Sequence, residues 1–209
     1  MRRTTNPSGS RPGDIADSRA ILDFLQLAER LKDTLRSGRT ASGRQESTAE
    51  HSWRLCLLAM LFECRMPALD HHRLLKLCLL HDLGEAISGD VPAPEQRGDD
   101  GRKERERRDF LELCSGLPAD IQAEFIDLYD DYACGGSIEA QFAKGFDKLE
   151  TMLQHLAGKN APGFDFAFNL DYARVATDRH PLLRSLRQAV DERTRERLAA
   201  HLGEGERAG

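Results

Sequence analysis

The chain has 209 residues, a formal net charge of −5 at pH 7 and a pI of about 5.8. Its length and its 40% hydrophobic content suit one domain with its own core and exclude a wholly disordered chain. The acidic balance argues against nucleic-acid and anionic-membrane partners. The basic run Arg102–Arg108 is interleaved with glutamates, which is typical of a solvated helix face. Because no apolar run approaches roughly 18 residues, we expect a cytoplasmic protein that is neither exported nor membrane-spanning.

The sequence predicts a single folded unit that follows a disordered tail. Residues 1–13 are rich in Ser, Pro, Gly and Arg and predict the tail, and residues 14–205 predict the domain. Within the domain we expect a metal-binding helical core over about 20–158 and a C-terminal helical segment over 163–202. Five cysteines without a Cys-x-x-Cys spacing predict reduced thiols rather than disulfides or a reactive thiol.

In chain order, the apolar periodicity predicts helices almost throughout. A first helix is expected from about Asp14 to Leu35, and a second starts near Ser47 and ends before Pro67. The segment 37–47 between them has two glycines and no apolar period, which predicts a loop. Further helices are expected at about 70–81, 101–115, 118–132, 137–158 and 181–202. No pair of strands is predicted, so the fold class is all-α.

Two histidines lie on apolar helix faces, where a metal site is one explanation for them. His51 shares a face with Leu55, and His81 shares one with Cys78 and is followed directly by Asp82. One such histidine is more often a satisfied core residue, but two of them, one beside an acid that is costly to bury alone, favour a cation. Nitrogen and oxygen donors suit Mn, Fe, Co, Ni, Zn or Mg and exclude sites that require thiolate.

Two further carboxylates are considered for the same site. Glu85 lies four residues after His81 and falls beside it if the helix continues through Gly84; it is either a general acid or base, or a helix-end residue that faces water. Asp147 lies to one side of the apolar stripe of its helix, so periodicity alone predicts a solvent-facing residue. Five other histidines lie in helix ends or on polar flanks and are not expected to be ligands: His71, His72, His155, His180 and His201.

Three motifs together resemble the HD-domain metal phosphohydrolases, and within them the 5′-deoxynucleotidase-like branch. The motif R-x-E-x-x-x-E-H-S is matched from Arg44 to Ser52, and H-D-x-x-E-x-x-x-G-D is matched from His81 to Asp90. The late signature resembles Ser137–Phe142 followed by Asp147. The similarity spans about residues 20–158, and the joint spacing is more specific than any single dipeptide.

The resemblance implies an HD-domain helical bundle with one buried divalent metal site, and a homodimer as the assembly. It also implies roles for individual residues: His51, His81, Asp82 and Asp147 as metal ligands, Glu85 as the catalytic residue that handles protons or positions water, and Arg36 and Asp90 as substrate-binding residues.

The chain departs from the family directly after Arg36. Family members commonly place a tryptophan there, whereas this sequence reads Arg36-Ser37-Gly38-Arg39. The motif therefore does not fix how the nucleobase or the sugar is selected. Arg39 is instead expected to bind substrate by adding positive charge, which favours a more highly phosphorylated or otherwise anionic molecule.

The predicted function is metal-dependent hydrolysis of a small phosphomonoester, most simply a (deoxy)nucleoside 5′-monophosphate. Three alternatives remain open: hydrolysis of another phosphorylated metabolite such as (p)ppGpp, a mixed-valent di-iron oxygenase of the same superfamily, or a non-catalytic nucleotide- or metal-binding module. The (p)ppGpp hydrolases usually carry Glu-Asp after the H-D pair, whereas Glu85 is followed here by Ala86. A di-iron site needs further histidines at suitable positions. The intact ligand set together with Glu85 argues against a non-catalytic module.

Overall fold

A computed structural model describes residues 15–92 and 101–207, with side chains described up to residue 200. The predicted tail over 1–13 lies outside the described residues. Two 3-10 turns, Glu29–Lys32 and Glu63–Arg65, follow the first and the second helix. The helices and strands in chain order are α1 (Ile15–Ala28), β1 (Leu35–Arg39), β2 (Gln45–Ser47), α2 (Thr48–Leu61), α3 (His71–Leu80), α4 (Glu85–Ser88), α5 (Arg102–Cys114), α6 (Ala119–Cys134), α7 (Ile138–Ala157), α8 (Phe168–Asp171), α9 (Arg174–Thr177) and α10 (Pro181–Arg207).

Helix α7 is the centre of the bundle. It packs against α2, α3, α6, α9 and α10. Its stripe of Phe142, Phe146 and Leu149 is almost wholly buried, as the periodicity predicts. Each such side chain contributes about 1.5–3 kcal/mol when it is fully buried. Helix α7 is therefore held firmly, and side chains that leave it have fixed positions.

A short antiparallel hairpin corrects the prediction of a loop over 37–47 and of a chain without strands. In the pairing of β1 with β2, Leu35 lies opposite Ser47 and Arg39 lies opposite Gln45. The first helix also ends earlier than predicted, and a 3-10 turn leads from it into β1. Strand β1 reads LRSGR, so no apolar alternation marks it in the sequence. Backbone pairing stabilises a strand whose side chains are mostly polar.

Helix α2 begins with a capping box that fixes the position of His51. The side chain of Ser47 accepts a hydrogen bond from the Glu50 backbone N–H, and the Glu50 carboxylate accepts one from the Ser47 backbone N–H. Two backbone donors of the first turn are satisfied in this way. His51 follows directly, so its ring leaves a helix whose start is well defined.

The second pair of candidate ligands lies in a turn rather than in a continuing helix. Helix α3 begins at the N-cap Asp70 and ends at Leu80, and Gly84 separates it from α4. A Cβ atom on Gly84 would lie 2.6 Å from the carbonyl oxygen of Glu106 in α5. Only glycine permits this close approach. The turn His81–Gly84 is therefore pressed against α5.

The cysteines and the helix lengths bear on where the protein can reside. The five cysteines are free, as their spacing predicts. In the described ranges, no helix has both the length and the hydropathy needed to cross a bilayer.

Candidate metal centre

Four ligand-type side chains converge beside the middle of α7. His51 comes from α2, His81 and Asp82 come from the turn after α3, and Asp147 comes from α7. The Nε2 atom of His51 lies 3.3 Å from Asp147 Oδ1 and 3.8 Å from Asp82 Oδ2. The Nε2 atom of His81 lies 3.0 Å from Asp82 Oδ2 and 3.9 Å from Asp147 Oδ1. The structure thus brings together all four residues that the resemblance implies as ligands.

The chemistry of this group fits a divalent cation. Among the residues that the structure describes, the buried Nε2 atoms of His51 and His81 have no partner with good hydrogen-bond geometry, although each lies close to a carboxylate oxygen. Such unpaired buried groups are costly, and a cation among them would engage both nitrogens and both carboxylates. Burial and the charge of Arg36 lower the pKa of His51, but its contacts with Asp147 and Glu150 outweigh them and raise it to about 9. A cation would take the place of that proton.

Each histidine is oriented through its other ring nitrogen. His81 Nδ1 lies 3.0 Å from the Cys78 carbonyl oxygen, which accepts its hydrogen bond and leaves Nε2 free. His51 Nδ1 contacts the Glu150 carboxylate, and Glu150 Oε1 in turn lies 3.3 Å from Arg54 Nη1. A carboxylate in this position fixes the ring and raises its basicity as a ligand. Glu150 therefore supports the ligand set although it is not itself a predicted ligand.

The burial of Asp147 corrects the solvent-facing position that periodicity predicts for it. Its side chain accepts a hydrogen bond from Tyr132 Oη at 2.7 Å and lies 2.8 Å from Lys148 Nζ. Burial opposes ionisation of Asp147, but the charge of Lys148 and the contact with His51 outweigh it and hold the pKa of Asp147 well below its usual value. The carboxylate is thus available as a charged donor.

Sequence reasoning missed Glu150 and placed His155 on a polar flank for the same reason. Both residues are almost fully buried, because α7 is covered by neighbours on more than one side. His155 Nδ1 lies 2.8 Å from Asn169 Oδ1. The signal that could have identified Glu150 is its place three residues after Asp147, which puts the two carboxylates on one helix face.

Glu85 is buried beside the ligand group, which excludes the water-facing alternative for this residue. Its carboxylate accepts a hydrogen bond from Thr48 Oγ1 at 3.0 Å. Burial, followed by the charges of Asp82 and Asp90, raises the pKa of Glu85. A carboxyl group with a raised pKa keeps its proton at neutral pH and can donate it.

Three members of the ligand group, His81, Asp82 and Asp147, line a cavity of about 470 Å³, a size typical of small-molecule sites. Arg36 lies in its wall, with Nη1 3.1 Å from Asp82 Oδ2 and with Nη2 donating to Thr151 Oγ1 at 3.2 Å. Burial lowers the pKa of Arg36, but the charges of Asp82 and Asp90 outweigh it and raise the value. Arg36 is therefore always charged. The cavity is also lined by Glu85, Asp90, Tyr129, Tyr132 and Tyr172.

Arg39 is the predicted substrate residue that the structure does not bring into this group. It is absent from the cavity lining, and its Nη1 donates to the Gly43 carbonyl oxygen at 2.7 Å within the hairpin. The pairing of β1 with β2 has a register shift between Leu35 and Arg39, so the contacts of the two arginines, rather than regular strand alternation, show that only Arg36 reaches the cavity.

A family model, relatives of known name and a solved structure all indicate the same family. The family model described as HD domain matches residues 28–187. The 5′-deoxynucleotidase HDDC2 of Homo sapiens is 31% identical over 139 residues, which are 66% of this chain and 67% of that one. The 5′-deoxynucleotidase hdd1 of Schizosaccharomyces pombe is 33% identical over 145 residues, which cover 66% and 72%. A predicted metal-dependent phosphohydrolase from Magnetospirillum magnetotacticum has a solved structure that matches with a TM-score of 0.72 and 25% identity, over 89% of this chain and 96% of that one. The chain belongs to the HD-domain family.

Proposed function

We propose that this protein is a metal-dependent phosphohydrolase that releases phosphate from a (deoxy)nucleoside 5′-monophosphate. The observation that carries the proposal is the unpaired Nε2 atoms of His51 and His81, which face two carboxylates in the wall of a small-molecule cavity. Relatives named 5′-deoxynucleotidase support the choice of substrate.

The ligand group would hold one divalent cation through His51, His81, Asp82 and Asp147. Two nitrogens and carboxylate oxygens are compatible with Mn, Co, Fe, Ni, Zn or Mg. When bound, the cation would polarise a phosphoryl oxygen and lower the pKa of the attacking water, so that hydrolysis proceeds near neutral pH.

In this proposal Arg36 binds the phosphate. Its guanidinium is permanently charged and has a planar fork that matches two phosphate oxygens. It lies 3.1 Å from Asp82, so a phosphate that contacts Arg36 also reaches the ligand group. Asp90 and three cavity tyrosines are placed to contact the remainder of the substrate, because an aromatic ring offers both apolar area and a polar tip.

In this proposal Glu85 moves the proton that hydrolysis requires. In the reaction a water oxygen bonds to phosphorus, the bond between phosphorus and the 5′ ester oxygen breaks, and that oxygen takes a proton. Glu85 can give this proton, since its pKa is raised, and can recover one from the attacking water. The hydrogen bond from Thr48 holds the carboxyl group in place during the exchange.

The cellular setting and the assembly belong to the same proposal. Five free thiols support a reducing compartment, and we place the protein in the cytoplasm. The net charge of −5 supports small-molecule rather than nucleic-acid partners. The family resemblance supports a homodimer. Light scattering on the purified protein should give twice the 23.4 kDa of one chain.

A phosphate-release screen tests the proposal most simply. The protein is assayed with nucleotides and sugar phosphates in the presence of each of several divalent metals, and Asp82→Ala serves as the matched control. We expect release from nucleoside 5′-monophosphates that is lost in the control. Release from sugar phosphates alone would contradict the choice of substrate. A metal-loaded protein that releases no phosphate from any compound would favour the non-catalytic module.

A further inference from the structure

Three lysines line the same cavity as the metal centre. Lys103 comes from α5, and Lys144 and Lys148 come from α7. Lys144 and Lys148 are four residues apart, so they leave one face of the helix about 6 Å apart along its axis. We call these three residues the lysine cluster.

The members of the lysine cluster differ in their partners. Lys148 Nζ lies 2.8 Å from Asp147 Oδ2, so its charge is paired. Lys144 Nζ donates to the Ala133 carbonyl oxygen at 2.9 Å and lies 5.1 Å from the centre of the Tyr132 ring. Neither contact neutralises a charge. Among the residues that the structure describes, no carboxylate lies within ion-pair distance of Lys144 or Lys103.

The arrangement concentrates positive charge on one part of the cavity wall. Burial, followed by the charges of Lys148 and Lys103, lowers the pKa of Lys144. Like charges in one cavity wall disfavour one another, and an anion between them would relieve the repulsion. Arg102 and Arg107 of the same wall already pair with carboxylates of α5 and α6. Lys144 and Lys103 are thus the cavity cations best placed to accept an anionic ligand.

We infer that the lysine cluster binds a second anionic group of the substrate, so that the preferred substrate is a phosphomonoester that carries a further phosphate or carboxylate. The inference rests on the proposed function, in which the first phosphate lies between Arg36 and the metal ligands. Lys144 is three residues from Asp147, which corresponds to about 4.5 Å along α7. The second anion therefore lies roughly one helical turn from the first. The positive charge that the sequence led us to expect from Arg39 is supplied by α5 and α7 instead.

Binding affinity tests the lysine cluster separately from hydrolysis. Calorimetry on the metal-loaded Glu85→Gln protein compares adenosine 5′-monophosphate with adenosine 3′,5′-bisphosphate and adenosine 2′,5′-bisphosphate. We expect at least one bisphosphate to bind about tenfold more tightly than the monophosphate, which corresponds to one charge-assisted contact. This preference should weaken as salt rises. Lys144→Met keeps most of the side-chain stem and should reduce the preference to about twofold or less.

Two further variants keep the test independent of folding. Lys103→Glu changes an exposed residue and should also reduce the preference, whereas Lys159→Met changes an exposed lysine outside the cavity and should leave it intact. Equal affinity for all three nucleotides, or a preference that survives both Lys144→Met and Lys103→Glu, would overturn the inference. Phosphate release from the monophosphate by the unaltered protein is scored separately. Release without a bisphosphate preference overturns only the lysine cluster, and a preference without release overturns only the proposed hydrolysis.

Discussion

Two clusters of this molecule each bury charged or ionisable side chains, and they differ in how completely their groups are paired. Around Arg187 in α10, the guanidinium makes five hydrogen bonds, to the side chains of Asp191 and Thr177 and to the backbone carbonyl oxygens of Asn169, Leu170 and Tyr172. At the metal centre, the two histidine Nε2 atoms have no partner with good hydrogen-bond geometry in the described part of the chain.

The difference separates a structural cluster from a binding site. Arg187 is fully buried, and its five hydrogen bonds satisfy all five of its N–H donors. The guanidinium therefore needs no ligand from outside the protein. His51 and His81 are also buried, but their Nε2 atoms lie beside carboxylates without a well-formed hydrogen bond. Buried polar groups left open in this way are expected to have an external partner. The two histidine nitrogens, held beside two carboxylates, are therefore the groups that a bound cation would complete.

We call the metal centre the open cluster and the group around Arg187 the closed cluster. The largest expected effect lies in the open cluster and separates proton transfer from metal binding. Glu85→Gln keeps the shape of the side chain and removes its acidity. We expect kcat to fall by about 10²–10⁴-fold, the usual contribution of general acid–base catalysis. Metal content should remain that of the unaltered protein. An unchanged kcat would remove Glu85 from the mechanism.

The next effect breaks the closed cluster instead. Arg187→Met leaves Asp191 buried with one cation fewer, and we expect the free energy of unfolding to fall by about 3–5 kcal/mol. The double variant Arg187→Met/Asp191→Leu should recover part of this loss, because no uncompensated charge is buried. Denaturant titration measures both. The folded fraction should keep its metal, and a loss of metal from folded Arg187→Met would mean that the two clusters are not independent.

A smaller effect is expected from the carboxylate behind His51. Glu150→Gln removes the charge that orients and polarises the imidazole, and such outer-shell changes typically weaken metal binding by about 10–100-fold. Competition with a chelating dye gives the dissociation constant directly. Gln141→Glu is the control, because Gln141 lies outside this group of contacts. Gln154→Glu is less informative, because Gln154 contacts Arg54, which also pairs with Glu150. Equal metal affinity in Glu150→Gln would assign Glu150 to packing alone.

The smallest expected effect is a change in KM, and it should differ between the two arginines of β1. Arg36 lies in the cavity wall and Arg39 does not, so Arg36→Ala should raise KM about tenfold through the loss of a charged phosphate contact. Arg39→Ala is the matched control and should change KM by less than about twofold. Steady-state kinetics on the best phosphate ester decides between them. A larger effect from Arg39→Ala would place the substrate on the other face of the hairpin.

The sequence predicts those parts of the site that lie on apolar helix faces. His51 and His81 share faces with core residues, so their burial follows from the helical period, and the structure confirms it. The main helices follow from the same period. The small hairpin does not, because β1 is held by backbone pairing and by the polar contacts of Arg36, neither of which appears as an apolar pattern.

The helical period of the sequence does not predict burial for residues that several neighbouring elements cover. Asp147 and Glu150 lie on the polar flank of α7, and only the packing of other elements around that helix buries them. Arg187 and Asp191 have the i, i+4 spacing of an ordinary surface ion pair, yet both are buried. One-dimensional periodicity describes one face of one helix, whereas burial at these positions is decided by contacts between elements. For Asp147, the resemblance to a family supplied what periodicity could not.

Elemental analysis of the purified protein tests the central claim most directly. The open cluster should carry one divalent ion per chain in the unaltered protein, and Asp82→Ala should lose it, because the change removes a charged donor while both imidazoles stay buried. Asp191→Ala, which alters a buried aspartate of the closed cluster, is the control and should retain the ion in its folded fraction. Full metal occupancy in folded Asp82→Ala would contradict the assignment of the metal centre.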